Sequence, residues 1–445
     1  MDHLSFLSDP GTRLLPPVFD TRDDLPEMPR DIEPWLSASA PEMRSQIAAS
    51  LEKARRHGGW HWPKRPIVFI SDPHADAEGF LHSLISAGVI RRAEPGGHLA
   101  LTRFGTQAQI ILGGDCLDKG PSNLALLDAL ADVRATGVDL SLLAGNHDLR
   151  MALAVEAIRG PRAPLKDHLF VRMGRKLLPA LKEVFERFVT AEDLRGLPSE
   201  KKSKARLLPP KDWAEQFEQA AAGHLSERAI AKEIRKLKEK QAQFKKNVAK
   251  TGLGYRELLA ATLKCHDVFF TPGGHYAWFF ETMDVVSRVG SLLFVHAGLC
   301  DSMCEMLVAE GPKTVNARFR EEVERATFGF YFGPFANLVR TKYRESDCAL
   351  TEAGTDLLHR DGIHMVVQGH VNNHQGQRLL MKRGLLHLEG DITLDRASRR
   401  LEGLDGIGVG ATLIFPSGDV IGLSRDYPRA KHFAPDRHSN LKDLI

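Results

Sequence analysis

Short unbroken runs of β-type apolar residues punctuate the chain at Ile67–Ile70, Ile110–Leu112, Leu140–Leu143, Leu292–Val295 and Met365–Val367. Such runs predict strands buried on both faces, as in a parallel-type sheet. Between the first three, apolar residues recur at helical spacing over Ala77–Ala87, Ser122–Ala135 and His147–Ile158. Strand–helix alternation of this kind predicts a sheet with right-handed crossovers. Upstream, residues 41–57 place Met43, Ile47, Leu51 and Ala54 on one helical face, with Pro41 suited to the first turn and Gly58-Gly59 to the end. Further strand patterns cover Val285–His296, Ile363–Gly369, Leu385–Leu388 and Ala411–Phe415.

The pattern changes over residues of about 160–265, where convincing strands are absent. Within it, residues 200–250 carry roughly twice as many basic as acidic residues. Ala229–Lys250 reads as a long polar helix with Ile230, Ile234, Leu237 and Phe244 as its apolar stripe. The expected organisation is an N-terminal arm and helix over 1–62, an α/β domain over 63–158 and 266–425, a helical, basic insertion over 159–265 acting as a cap, and a C-terminal tail over 426–445. Trp35 is the one candidate anchor in the Pro- and Asp-rich arm.

Composition narrows the class. Of 445 residues, 43% are hydrophobic and 26% charged, ordinary for a globular protein. A net charge of +3 does not argue for nucleic acid or a membrane surface, and no apolar stretch is long enough to span a bilayer. The first residues lack a basic region followed by an apolar core, so a cytoplasmic location is expected. The five cysteines, Cys116, Cys265, Cys300, Cys304 and Cys348, have no repeating spacing and are expected to be reduced thiols.

The chemistry sits where the five strands end: Ser71-Asp72-Pro73-His74, Gly114-Asp115-Cys116-Leu117-Asp118-Lys119-Gly120, Gly145-Asn146-His147-Asp148, His296-Ala297-Gly298 and Gly369-His370. Any one of these segments alone reads equally well as a turn or a helix cap. Together they supply carboxylates, an amide and imidazoles at the strand ends, where layered α/β proteins bind ligands. Mixed oxygen and nitrogen donors suit Mn²⁺, Fe or Zn²⁺ better than Ca²⁺. A pair of such ions about 3.5–4 Å apart needs one bridging carboxylate, and Asp115 is the best placed. Asp72 and His74, two residues apart, are expected to point to one side of an extended segment. His147 lies at the mouth of the set, and Asp118 is able to orient it for proton donation.

The ordered motifs resemble those of the calcineurin-like metallophosphoesterase superfamily: GDxH, GDxxDRG, GNH(E/D), HxG and GH. The segments Asp118–Gly120, Asn146–Asp148 and Val295–Leu299 are most similar to the phosphoprotein phosphatase branch, particularly its bacterial Shewanella-like members. The resemblance spans residues 67–150 and 285–375. It implies a four-layer α/β/β/α sandwich and a phosphatase using two divalent ions, Mn²⁺ first among them. It further implies one metal on Asp72, His74 and Asp115, and a second on Asp115, Asn146, His296 and His370. His147 would be the general acid, oriented by Asp118, and a metal-bridging hydroxide would attack phosphorus in line.

Three departures stand out. Ser71 and Ala75 replace glycines of the first motif. Lys119 replaces an arginine that contacts substrate phosphate, keeping the charge and losing the bidentate fork. A further phosphate-binding arginine is expected between His296 and His370, with Arg340 and Arg344 as candidates. Many diesterases of the superfamily read GHxH, whereas the third position here is Asn372; that favours phosphomonoesters, with phosphoproteins as the leading substrate class. The alternatives are hydrolysis of dinucleoside polyphosphates or other nucleotides, and a phosphate-binding module without catalysis.

Overall fold

The computed structural model describes residues 28–29, 31–36, 40–93, 98–340 and 348–435. The chain begins with β1 (Ile32–Pro34) and α1 (Pro41–Arg56), then runs through β2 (Ile67–Ile70), α2 (Ala77–Ser86) and the antiparallel pair β3 (Ile90–Arg92) and β4 (Leu99–Leu101). Next come β5 (Gln109–Leu112), α3 (Asn123–Ala135), β6 (Asp139–Leu143) and α4 (Asn146–Arg159). A helical stretch follows: α5 (Leu169–Phe188), α6 (Ala191–Arg195), α7 (Glu200–Leu207), α8 (Trp213–Ala221), α9 (Glu227–Thr251), α10 (Tyr255–Phe269) and α11 (Ala277–Glu281). The chain returns to strands at β7 (Met283–Asp284), β8 (Val286–Val289) and β9 (Leu292–Val295), then to helices α12 (Asp301–Arg325), α13 (Thr327–Phe332), α14 (Phe335–Leu338) and α15 (Glu352–Arg360). It finishes with β10 (Met365–Gln368), β11 (Arg378–Lys382), β12 (Leu385–Glu389), α16 (Arg396–Leu401), β13 (Gly410–Ile414), β14 (Val420–Ser424) and β15 (Ala430–Phe433).

Two sheets result. The larger has the order β1-β15-β14-β13-β2-β5-β6-β7 and the smaller β11-β12-β10-β9-β8. Strands β2, β5, β6 and β7 are parallel, as are β9, β10 and β12. Side-chain alternation assigns the two faces. Ile67 and Phe69 of β2 share a core with Leu292 and Phe294 of β9 and Met365 and Val367 of β10. Val68 and Ile70 point the other way, into a cluster with Phe80 and Leu84 of α2. Leu293 and Val295 turn from the inter-sheet core toward Met303 and Leu307 of α12. The layers are therefore helix, sheet, sheet, helix, the architecture the resemblance implied.

The register places the chemistry. Ile70 pairs with Leu112 and Leu112 with Leu142, so three parallel strands end almost level. Val367 lies opposite Phe294 in the second sheet. The loops leaving β2, β5, β6, β9 and β10 carry the five motifs, and side chains from all five meet. Helix α5 packs on α4, α9 and α10, joining the helical stretch to this frame.

Two regions differ from the sequence expectation. The arm and the tail were set outside the α/β domain, yet β1 and β15 lie in the large sheet, paired with each other. Their runs, Ile-Glu-Pro and Ala-Lys-His-Phe, are too short and polar to read as strands alone; pairing at the sheet margin decides them. Trp35 and Leu36, just after β1, are buried in the inter-sheet core. In α9 the expected stripe holds at Ile230, Leu237 and Phe244, with Ile234 half-buried, while Val248 and the acidic Glu233 are also buried.

Phe69 is fully buried between the sheets, 5.9 Å from the Phe294 ring centroid. Glycines 113 and 390 crowd it so closely that any Cβ there would lie within 2.7 Å of its ring. Phe69→Ala is expected to cost about 3–5 kcal/mol, because backbone on both sides prevents collapse of the void. Urea unfolding of the two chains measures it.

Candidate metal centre

Asp115 follows β5 and is 2% exposed. Its Oδ1 lies 3.4 Å from His296 Nε2, while its Oδ2 lies 3.8 Å from His74 Nε2 and 3.8 Å from His147 Nε2. The two oxygens therefore face two separate groups of donors: His74 and His147 on one side, His296 and His370 on the other. Asp72 Oδ1 is 3.7 Å from His74 Nε2, and Asp72 Oδ2 accepts the His370 backbone N–H at 2.9 Å. His370 Nδ1 is 3.2 Å from His296 Nε2.

The backbone at these residues is held in an unusual shape. Asp72, His74, Asp115 and His370 all have positive φ, at 57°, 42°, 55° and 68°. Asp72 and His74 thus do not sit on an extended segment as the spacing suggested; a left-handed turn just beyond β2 brings them to the site. Such conformations cost about 1–3 kcal/mol each and persist only where the surroundings enforce them. Here a carboxylate does much of the enforcing. Asp148, fully buried in the first turn of α4, accepts N–H bonds from Asp115 (2.8 Å), Cys116 (2.8 Å), Leu117 (3.0 Å) and Gly145 (3.0 Å). Gly145 packs against the Asp115 backbone, where a Cβ would stand 2.0 Å from its N atom.

The donor set fits a pair of divalent ions. Burial would lower His296, but the Asp115 and Asp72 carboxylates lift it to about 10, so a proton holds positive charge between them. Burial pushes Asp115 up, yet the charge and hydrogen bond of His296 hold it well below the usual range. Burial raises Asp72 to about 6, against the pull of the His296 charge. Burial and His296 drop His370 to about 3, leaving its ring a neutral donor. At the other group the Lys119 ammonium stands 2.6 Å from His74 Nε2. Cationic charge thus stands beside both donor groups. The Asn146 amide has one edge 3.0 Å from His370 Nδ1 and the other 2.7 Å from Arg150 Nη2. Without an ion, hydrogen bonding favours NH2 toward His370; an ion between them favours the oxygen there.

His147 Nδ1 lies 2.8 Å from Asp118 Oδ2, which leaves Nε2 facing Asp115 and the opening. Burial lowers His147 well below its ordinary value, with Arg150, Lys176 and Lys119 adding to the effect, so the ring is neutral without a bound anion. Asp118 is raised by burial, and its backbone N–H is held by Asn123 Oδ1 at 2.8 Å.

The remaining residues divide. Arg340 donates to the Tyr331 carbonyl at 2.9 Å and lies 5.4 Å from that ring's centroid, beside Val339, whose carbonyl is 3.3 Å from the Asn146 amide. Arg344 lies outside the described residues. Asn372 donates to Glu402, and His374 pairs with the same carboxylate at 3.0 Å, so both side chains turn to Glu402. Two cations escaped the sequence reading. Arg150, one helical turn after Asn146, lies 3.4 Å from Asp118, and the spacing of four was a usable signal. Lys176, on α5, stands 3.2 Å from His147 Nε2, and nothing in the sequence pointed to it.

Among known proteins, no family model and no curated protein matches the chain. Similar solved structures include phosphatases. One is a cold-active protein tyrosine phosphatase, at 17% identity and a TM-score of 0.43, covering 83% of this chain and 78% of that one. The cold-active protein-tyrosine phosphatase of a psychrophilic Shewanella gives 14% and 0.40, covering 83% and 80%. A Saccharomyces cerevisiae protein serine/threonine phosphatase with similarity to human phosphatase PP5 gives 12% and 0.35, covering 84% and 82%. At such identities and scores the likeness says nothing about the reaction here. No helix among the described residues is long and apolar enough to cross a membrane.

Asp148→Asn should loosen the centre without touching any proposed ligand. Whichever way the amide turns, two backbone donors face its NH2, at a cost of about 1–3 kcal/mol for each donor left unpaired. The expected result is a lower Tm and weaker metal uptake, read by thermal unfolding and by metal analysis after dialysis against Mn²⁺. Wild-type values for both would show that the clamp does not position Asp115.

Proposed function

We propose that the chain is a phosphatase that hydrolyses phosphomonoesters with a pair of divalent ions, Mn²⁺ first among the candidates. The observation that carries this reading is Asp115, whose two oxygens face two donor groups from opposite sides. Asp72, His74 and Asp115 would hold one ion, and Asp115, Asn146, His296 and His370 the other. When bound, the ions supply an activated water and neutralise charge on the phosphoryl oxygens.

The chain's own residues account for the rest. Lys119 and Arg150 line the mouth and attract the phosphoryl dianion. The dianion in turn offsets the positive charges that keep His147 neutral, so the ring takes up a proton as substrate binds. Asp118 fixes Nδ1–H, and Nε2–H is directed at the opening. Water provides the new oxygen on phosphorus, the bond to the leaving oxygen breaks, and that oxygen takes the His147 proton. Asn372 and His374, engaged with Glu402, leave the first donor group without a further imidazole, which supports monoesters over diesters. A phosphorylated protein side chain is the leading substrate class.

Protein stripped of metal and resupplied with Mn²⁺ should cleave 4-nitrophenyl phosphate well above its bis-aryl diester; the reverse preference would overturn the monoesterase assignment. His147→Ala should lower kcat by about a hundredfold or more while metal content stays near wild type. Loss of metal in that variant would instead make His147 a ligand, since its Nε2 shares the first donor group. Asp115→Asn should lose both ions and activity together.

A further inference from the structure

Helix α5, within the stretch expected as an insertion, is keyed to the centre at several points. Its Glu183 accepts from Ser122 Oγ (2.7 Å), Asn123 N (3.0 Å) and Leu124 N (2.9 Å) at the start of α3. The same Asn123 holds the Asp118 backbone N–H. On its other side α5 is pinned to α9: Arg172 donates to Glu233 at 2.7 Å, and Phe170 meets Phe244 at 5.7 Å between centroids. Gly174 lies flush against the Phe244 ring, where a Cβ would approach within 2.4 Å. Lys176, one turn beyond Arg172, is thereby carried to a fixed place at the mouth of the site.

That place is the leaving-group side. Lys176 Nζ is 3.2 Å from His147 Nε2, the atom assigned to protonate the departing oxygen, and 3.8 Å from Asp118. Its side chain is 42% exposed, so it remains accessible to a ligand. Arg150 shares the same carboxylate at 3.4 Å. Arg172 is engaged with Glu233, but Lys176 and Arg150 converge on one acidic group, Asp118, while the Lys119 ammonium stands close by at His74. Like charges brought this close are costly without a counter-anion.

We propose that Lys176, with Arg150 beside it, forms an anion subsite for the leaving group, so that preferred substrates are phosphomonoesters bearing a second negative charge close to the ester oxygen. This rests on the phosphatase reading and adds a substrate class to it. The shared chemistry is a carboxylate or a second phosphate; both pair with an ammonium, and a phosphate also suits the Arg150 fork.

The test compares three aryl phosphates on the full-length, Mn²⁺-loaded protein: 3-carboxyphenyl phosphate, its neutral carboxamide analogue, and resorcinol bisphosphate. The expected kcat/KM for the charged substrates exceeds that for the carboxamide by about tenfold, the worth of one charge-assisted contact. The ratio between the two charged substrates tells which anion the subsite takes. Lys176→Met should bring the charged-to-neutral ratio near one, and Lys176→Arg should retain it. Lys176→Glu should reverse the order and favour 3-(aminomethyl)phenyl phosphate. Equal kcat/KM for charged and neutral substrates, or a ratio that survives Lys176→Met, overturns the subsite while leaving the phosphatase intact. Failure to cleave any of them overturns the phosphatase reading and the subsite with it.

Discussion

The centre depends on one buried carboxylate that binds no metal in the proposed scheme. Asp148 gathers the backbone N–H groups of Gly145, Asp115, Cys116 and Leu117, closing the β5 and β6 loops on each other. Asp115 is left between the sheets with an oxygen on either side, and its Oδ1 accepts the His147 backbone N–H at 2.7 Å. Burial and the neighbouring Asp115 raise Asp148 to about 7, against the pull of these backbone donors, and each bond it accepts is strongest in the ionised form. The glycines of the motifs follow from the same constraint. At Gly145, Gly120 and Gly369 a Cβ would collide with Asp115, with the His74 carbonyl and with Ser71 respectively.

Around that clamp the molecule stores both strain and charge. Ligand candidates in left-handed backbone hold their side chains inward at a cost that the two-sheet core and the clamp together sustain. The charge is handled by substitution. A proton on His296 balances Asp72 and Asp115, the ammonium of Lys119 stands at His74, and bound divalent ions would take over both roles. Lys119 would then be free to turn toward a phosphoryl oxygen. Lysine in place of arginine is intelligible in this light: a flexible point charge can serve either role, which a planar fork cannot.

The helical stretch between β6 and β7 takes part in the site as well as flanking it. Glu183 caps α3 and so fixes the loop that holds Asp118, while Lys176 on the same helix reaches His147. One helix therefore sets both the orientation of the proposed acid and the charge that meets the leaving group.

The sequence by itself determined the strands and their order, because unbroken apolar runs followed by Asp, Asn and His are local patterns. Strand β2 spans Ile67–Ile70 and β9 spans Leu292–Val295, the residues their patterns indicate. The nine residues Asp72, His74, Asp115, Asp118, Lys119, Asn146, His147, His296 and His370 were legible for the same reason: each lies within a few residues of a strand end. Tertiary structure alone decided what depends on distant partners. β1 and β15 are strands because each supplies the other's hydrogen bonds across most of the chain. The turn at Asp72 and His74 is left-handed because the loops that crowd it come from other strands. Lys176 became part of the site only when Glu183 and Gly174 fixed its helix against α3 and α9, an arrangement that helical periodicity does not encode.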